Sequence, residues 1–354
     1  MPATAIADPP APAGRTPRAP APFPGALARQ LPALTEGLHR SALPQTSRLG
    51  VMSSYHVGWT DERGCPVQGT AGKSLRGCLA LWTAEQCGGS AEAGLPVATA
   101  VEWIHNFTLV HDDIQDGDRE RRHRPTVWAV YGEAQAINAG DGLHALAYRA
   151  LLEGRDHPSR RLRAAAALNR AVIDVIAGQC QDLDLEGSLD ASAATYARMA
   201  RAKTGALVGA AMEAAALMSG AAGRRASLLR RAGIELGLAF QVRDDWLGIW
   251  GDSALTGKGR GDIARRKITY PVVLALATLA GSARREFRTL YSRRDGGEDR
   301  IRAVLDAAGT AELMAGALLH HGSNALSLVE CAGLDRAAVA DFESIVAFAA
   351  ERTS

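Results

Sequence analysis

From residue 25 onward, apolar side chains recur every three or four positions. Leu228, Leu229, Ala232, Leu236 and Phe240 show the spacing. It places them in one stripe of a helix with 3.6 residues per turn. The residues between are rich in Ala, Leu, Glu and Arg, all good helix formers. Clusters of Gly, Asp and Pro interrupt the pattern near 61–72, 88–96, 154–158, 186–192, 219–223, 251–262 and 294–298, and these mark the breaks between elements. No window alternates apolar and polar positions with β-branched enrichment, as a half-buried strand would. The pattern predicts ten or more helices and essentially no sheet. Small-residue runs, "AAAAL" at 164–168 and "AAMEAAAL" at 210–217, suit close helix–helix packing. With no clear linker inside 25–354, this stretch is expected to be one all-α domain.

Residues 1–24 read differently. They hold eight of the fifteen prolines. Such a leader, with Ala at seven of its sixteen other positions, cannot propagate a helix and has little to bury, so it is expected to be disordered or polyproline-like. An inert tail and a docking segment are both open at this point. Almost half of the 354 residues are apolar, enough for a sizeable core. A net charge of +2 supplies no basic field for nucleic acid. Five scattered cysteines (65, 78, 87, 180, 331) form no CxxC pair and point to a reduced compartment. No apolar run approaches the roughly 18 residues of a membrane span, and the N-terminus lacks a signal-peptide pattern. The expectation is a soluble cytoplasmic protein.

The stretch "LVHDDIQDGDRERRHRPT" (109–126) is the first to suggest chemistry. On a helix through 101–116, Asp112 and Asp116 are i,i+4 neighbours on one face, flanked by Asp113. Clustered carboxylates suit Mg²⁺, which takes one or two of them and completes its shell with water and phosphate oxygens. Arg119, Arg121, Arg122 and Arg124 follow directly, and guanidinium binds phosphate in its own right. A solvated charged loop is the alternative. An EF-hand fits poorly, because Ile114 stands where a ligand is needed and His123 where Glu belongs.

A second acid pair, Asp244 and Asp245, lies in "QVRDDWLGIWGD" (241–252) among apolar neighbours. Buried acids need a cation. This pair is expected to face the first across a bundle interior and share Mg²⁺ with it; an exposed pair at a helix end is the alternative. "GTAGKSLRG" (69–77) has Val67 where a P-loop needs Gly. That leaves Lys73 and Arg76, at i,i+3, as a phosphate clamp or as two surface cations. Lys203, Lys258 and Lys267 stand near helix boundaries.

In order and spacing, "GKSLR", "EWIHNFTLVHDDIQD" with "RR" and "PT" behind it, "GQCQDL", "KTGAL", "FQVRDDWLGIWGD" and "GK…K" resemble the trans-isoprenyl diphosphate synthases, or polyprenyl synthetases, over residues 50–275. The resemblance implies an all-α isoprenoid synthase-type bundle around a central catalytic cavity, usually in a homodimer. It implies condensation of isopentenyl diphosphate with an allylic diphosphate, with three Mg²⁺ between facing acid motifs. By the same resemblance Asp112, Asp116 and Asp244 ligate metal, with Asp113 and Asp245 in the same metal set. Arg121, Lys203 and Lys258 contact the allylic diphosphate. Lys73, Arg76, His105 and Arg122 hold isopentenyl diphosphate. Thr204 and Gln241 lie near the reacting carbon, and Lys267 matches a further family lysine.

The chain departs from the family at four positions. Ser74 and Gly77 stand where Arg and Pro are usual, His123 replaces a Gly, and Gly248 replaces the third acid of the second motif. For product length, Thr108 lies one turn under Asp112 and Phe107 flanks it. An aromatic five residues before the motif resembles enzymes that stop at geranylgeranyl diphosphate (C20); farnesyl diphosphate (C15) stays open. Trp103, a turn below Phe107, is either further floor or core. The "YHVGW" segment (55–59) and the leader resemble synthases carried as cargo in encapsulin shells. That implies a shell partner reached through residues 1–24 and a place inside a protein nanocompartment. A class I terpene cyclase should carry an Asn/Ser/Glu motif in place of the second acid pair and does not need Lys73 and Arg76. A catalytically silent partner subunit finds support only at Gly248.

Overall fold

Each long helix of the chain starts and stops where its own sequence directs. In the computed structural model, which describes residues 22–67, 72–154, 156–251, 261–293 and 296–352, short α1 (Gly25–Ala28), α2 (Leu31–Ser41), α3 (Arg48–His56) and α4 (Leu75–Gln86) lead to α5 (Ala91–Gln115). The Ser90 side chain caps α5 by accepting from the Ala93 N–H at 3.2 Å. Val97, Val101, Ile104 and Val110 bury it on several sides, as a central helix requires. It packs against α2 and α4 and, later in the chain, α7 and α10. Past its end, β1 (Glu120–Arg121) and β2 (Arg124–Pro125) form a small antiparallel ribbon, with Arg121 opposite Arg124. This ribbon and one Thr60–Pro66 bridge are the sheet structure found among the described residues.

The chain continues through α6 (Val127–Tyr131), α7 (Glu133–Leu152), α8 (Pro158–Leu185), α9 (Ala193–Ala200), α10 (Ala206–Met218) and α11 (Gly223–Trp250). Glycines set the approach of α11 to its neighbours. A Cβ at Gly233 would meet the Gly209 Cα at 2.8 Å, and one at Gly237 would meet the Gly205 Cα at 2.8 Å. Backbone contact there leaves no room for side chains. The seam presses α11 onto a single π-helical turn, Arg201–Gly205, between α9 and α10. Such turns recur at functional sites, and this one carries Lys203 and Thr204.

The remaining helices are α12 (Gly261–Ala264), α13 (Tyr270–Thr278), α14 (Gly281–Ser292), α15 (Glu298–Ala307), α16 (Thr310–Cys331) and α17 (Arg336–Glu351). One core gathers α4, α5, α7, α10 and much of α11. A second, with Tyr196, Ile249, Ile263, Val272 and Phe287, anchors the segment after α11. Trp103 belongs to the first core: its indole donates to the Ser41 hydroxyl at 2.8 Å and meets Trp59 edge-to-face. Phe23, within the stretch expected to be disordered, packs against Phe348 at 5.6 Å. Residues 1–21 and Lys258 lie outside the described residues. None of the described helices is long and apolar enough to cross a membrane.

Candidate active site

Thr108, Asp112 and Asp116 descend one face of α5 in steps of four residues, and all three border a cavity of about 720 Å³. Gln241, Asp244 and Gly248 from α11 border the same cavity, so the two acid motifs share one space. Arg76, His105, Arg121 and Arg122 line it too, as do Lys203, Thr204 and Lys267. Lys73 is not on its wall; the ammonium lies 5.4 Å from the Phe348 ring centroid.

The charges inside are strongly coupled. Burial pushes the Asp112 carboxyl above its ordinary range, opposed by the Lys203 charge. Burial also pushes Asp116 upward, but Lys267, together with Lys203 and Arg265, offsets this and holds it below the usual range. The Lys267 ammonium lies 2.6 Å from Asp116, and Lys203 lies 2.6 Å from Asp182. Arg352, from the chain end, donates to Asp244 at 2.5 Å. His105 is pushed well below the usual imidazole range, by burial and then by Arg76, Arg122 and Arg121. Its neutral ring sits 3.1 Å from an Arg76 nitrogen. A cavity with this many cations suits a ligand with several negative charges.

The second acid of each pair is engaged by neighbours: Asp113 is not on this cavity's wall, and Asp245 borders it with its oxygens already taken. Successive helical residues are about 100° apart, so two adjacent carboxylates cannot point the same way. Asp113 turns behind α5 and accepts from the Arg121 Nη2 at 2.7 Å and Nε at 2.8 Å. Asp245 accepts from the Tyr196 hydroxyl, from the Tyr270 N–H at 2.7 Å and from Gln241 at 2.9 Å. Gln241 in turn accepts from Thr204 at 2.5 Å. This network fixes the π-helical turn against α11.

Burial pushes Asp245 up to about 7, the hydrogen bonds from Tyr196 and Tyr270 opposing it. The folded protein therefore binds a proton between pH 4 and 7 that the unfolded chain does not. Stability from this group is highest at acid pH and falls as pH rises through that window. Relative to the parent, Asp245→Asn is expected to gain stability between pH 5 and pH 8. Denaturant titrations of metal-free protein at the two values check this; a pH-independent difference would contradict it.

At the bottom of the cavity, the Phe107 ring lies 5.0 Å from His144 and 5.3 Å from His111, centroid to centroid. Thr108 borders the cavity above, its hydroxyl bonded to the His105 carbonyl at 2.8 Å. Sequence reasoning passes over Asp182, although "GQCQDL" contained it. It also misses Tyr196 and Arg352, for which no local pattern exists, and Asp262, which lies between the two lysines of "GK…K".

The profile of the polyprenyl synthetases matches residues 66–308. The chain belongs to this family. As a polyprenyl synthetase it is a trans-prenyltransferase. It is 44% identical over 255 residues to a geranylgeranyl diphosphate synthase of Mycobacterium tuberculosis, covering 72% of each chain. It is 36% identical over 307 residues to a (2E,6E)-farnesyl diphosphate synthase of Mycobacterium bovis, covering 84% of this chain and 85% of that one. The crystal structure of a polyprenyl synthetase from Streptomyces coelicolor superposes with a TM-score of 0.83 at 37% identity, covering 92% of this chain and 97% of the other.

Of two departures from the family pattern, the first has a local explanation and the second stands at a position whose backbone favours the usual Gly. Gly77 donates its N–H to the buried Glu102 carboxylate at 2.7 Å, which a proline could not do. His123 has φ +60° beside Arg122 at +53°. Both central residues of the ribbon's turn are thus left-handed, a conformation glycine adopts without strain. Polyprenyl synthetases use Mg²⁺, and the donor set here is oxygen-rich, as that ion prefers. Among the described residues no three acidic, His or Cys side chains converge to hold an ion alone.

Proposed function

We propose that this polyprenyl synthetase condenses isopentenyl diphosphate with an allylic diphosphate to give geranylgeranyl diphosphate and pyrophosphate. The observation that carries the reading is the shared cavity, with Asp112 and Asp116 on one wall, Asp244 on another and Phe107 below. The 44% identity to a geranylgeranyl diphosphate synthase, against 36% to a farnesyl one, supports C20.

Asp112, Asp116 and Asp244 would hold Mg²⁺, three ions in the full complex. Bound there, the metal offsets charge on the departing diphosphate so that the allylic C–O bond can ionise. Arg121 and Lys203 orient that diphosphate. Arg76, His105 and Arg122 seat the second substrate with its double bond toward the allylic carbon. Thr204 and Gln241, already bonded to each other, sit beside that carbon. The apolar lower wall excludes water that would capture the cation, and the released pyrophosphate takes the proton. The test is incubation with isopentenyl diphosphate, Mg²⁺ and each of the C5, C10 and C15 primers, followed by dephosphorylation and chain-length analysis. A C20 alcohol is expected; folded protein with no turnover on any primer overturns the reading.

A homodimer fits the same geometry. Ile137 on α7 and Ile173 and Ile176 on α8 are 48%, 59% and 48% exposed, and Ile176 borders the cavity. Apolar side chains this exposed are what a partner subunit would cover. Ile173→Glu is expected to shift the protein from dimer to monomer in light scattering, and an unchanged mass would argue for another interface.

A further inference from the structure

The "YHVGW" segment (55–59) borders no part of the catalytic cavity, yet it holds the ribbon that carries two of the cavity's arginines. Tyr55, near the end of α3, donates its hydroxyl to the Pro125 carbonyl at 2.7 Å. Arg124 donates to the carbonyls of Tyr55 at 3.2 Å and Thr60 at 2.7 Å, with its guanidinium 4.4 Å from the Tyr55 ring centroid. β2 is thereby fixed to the end of α3, and β1, where Arg121 pairs with Arg124, goes with it. Arg121 and Arg122 border two spaces. One is the catalytic cavity, and the other is a separate pocket of about 70 Å³ lined also by Tyr55, His56, Asp113 and Arg124.

Two residues on the wall of this pocket carry a buried polar atom with no partner among the described residues: His56 at Nε2 and Asp113 at Oδ2. Asp113 is 1% exposed, and its other oxygen, Oδ1, takes two nitrogens of Arg121. Burial, with the charges of Arg121 and Arg122, pushes the His56 imidazole down to about 3, so the ring is neutral. Asn106 gives its amide nitrogen to the Glu102 carbonyl at 2.8 Å and bonds the His56 ring through its side chain. A ring N–H spent on Asn106 leaves Nε2 a bare lone pair. Both atoms are therefore acceptors, and buried acceptors are normally satisfied. Their partner must donate. An anion would meet two lone pairs, and a cation would meet three arginines. Water donates twice and accepts from the arginines, and it needs roughly 10–15 Å³ of free space.

We infer that this pocket is a water-binding site behind the first acid motif, and that His56 is a positioning residue acting through that water on Asp113 and, through Asp113, on Arg121. The inference rests on the synthase reading above. A water that gives one proton to Asp113 Oδ2 and the other to His56 Nε2 ties α3 to α5. It leaves Oδ1 wholly to Arg121. The guanidinium then meets an incoming diphosphate with its direction already set, so less side-chain freedom is lost on binding.

The test has a structural arm and a kinetic one. A high-resolution crystal structure of the parent protein is expected to show ordered water within hydrogen-bonding distance of both His56 Nε2 and Asp113 Oδ2. A dry pocket, or an ion in it, overturns the site. His56→Phe keeps a ring but has no acceptor, and it is expected to raise KM for the allylic diphosphate about tenfold with kcat little changed. His56→Gln, whose amide oxygen can stand where Nε2 does, is expected to recover most of that loss. A merely structural role would lower the melting temperature of both variants and leave KM alone. Parental KM in His56→Phe, or His56→Gln no better than His56→Phe, overturns the positioning role; His56→Leu makes the same comparison if the larger ring unfolds the protein. A parent that condenses no primer overturns the synthase reading and with it the positioning role, whereas the water site is decided by the crystal alone.

Discussion

Asp112→Ala is expected to lower kcat/KM by about a thousandfold or more while leaving the melting temperature nearly unchanged. Asp113→Ala is expected to do nearly the reverse. Asp113 is 1% exposed and its carboxylate takes two nitrogens of Arg121. Removing it leaves a largely buried guanidinium without its partner, at a cost of about 3–5 kcal/mol. Its activity, assayed below the lowered melting temperature, should fall far less than that of Asp112→Ala. The same division is expected in the second motif. Asp244 and Asp245 both border the cavity, but Asp245 also holds three donors, so Asp245→Ala strands three polar groups at about 1–3 kcal/mol each. Denaturant unfolding and steady-state kinetics on the four variants measure both axes. Equal losses of activity without loss of stability across each pair would show that both acids of each pair are ligands.

Phe107→Ala is expected to release chain growth past C20, giving C25 and longer products. The ring closes the lower cavity between His144 and His111, and a growing apolar chain must displace or stop at it. Trp103 does not form a second floor beneath it, because its indole is turned to Ser41 and Trp59 in the core. Phe107 is 7% exposed, so the substitution should also destabilise the fold by about 3 kcal/mol; the assay therefore belongs well below the new melting temperature. Product lengths after dephosphorylation decide the matter. An unchanged C20 product from active enzyme would remove Phe107 from the floor.

Much of this was legible in the chain itself. Helical periodicity is a local property, so α5 and α11 could be anticipated from spacing, although α5 starts at Ala91, inside the break expected near 88–96. The i,i+4 step from Asp112 to Asp116 is helical arithmetic, and the arginines behind it announced an anionic ligand. Even the departures at Gly77 and Gly248 could be noticed as gaps in a pattern. Their surroundings could not, since Glu102 meets Gly77 and Asp262 meets Gly248 from other segments.

What tertiary structure decided was rotation and long-range pairing. A run of two aspartates does not say which one faces inward, because that depends on where neighbouring helices pack. Packing sent Asp112 and Asp244 to the cavity, tied Asp113 to Arg121 away from it, and left Asp245 at its edge bonded to Tyr196, Tyr270 and Gln241. Arg352 reaches Asp244 across 108 residues of chain, and Lys267 reaches Asp116 across 151. Side-chain patterning within a turn or two is set by backbone geometry, so one dimension suffices to read it. Contacts between distant segments are set by how whole helices dock, as at the glycine seam of 205, 209, 233 and 237, and only the folded chain brings those partners together.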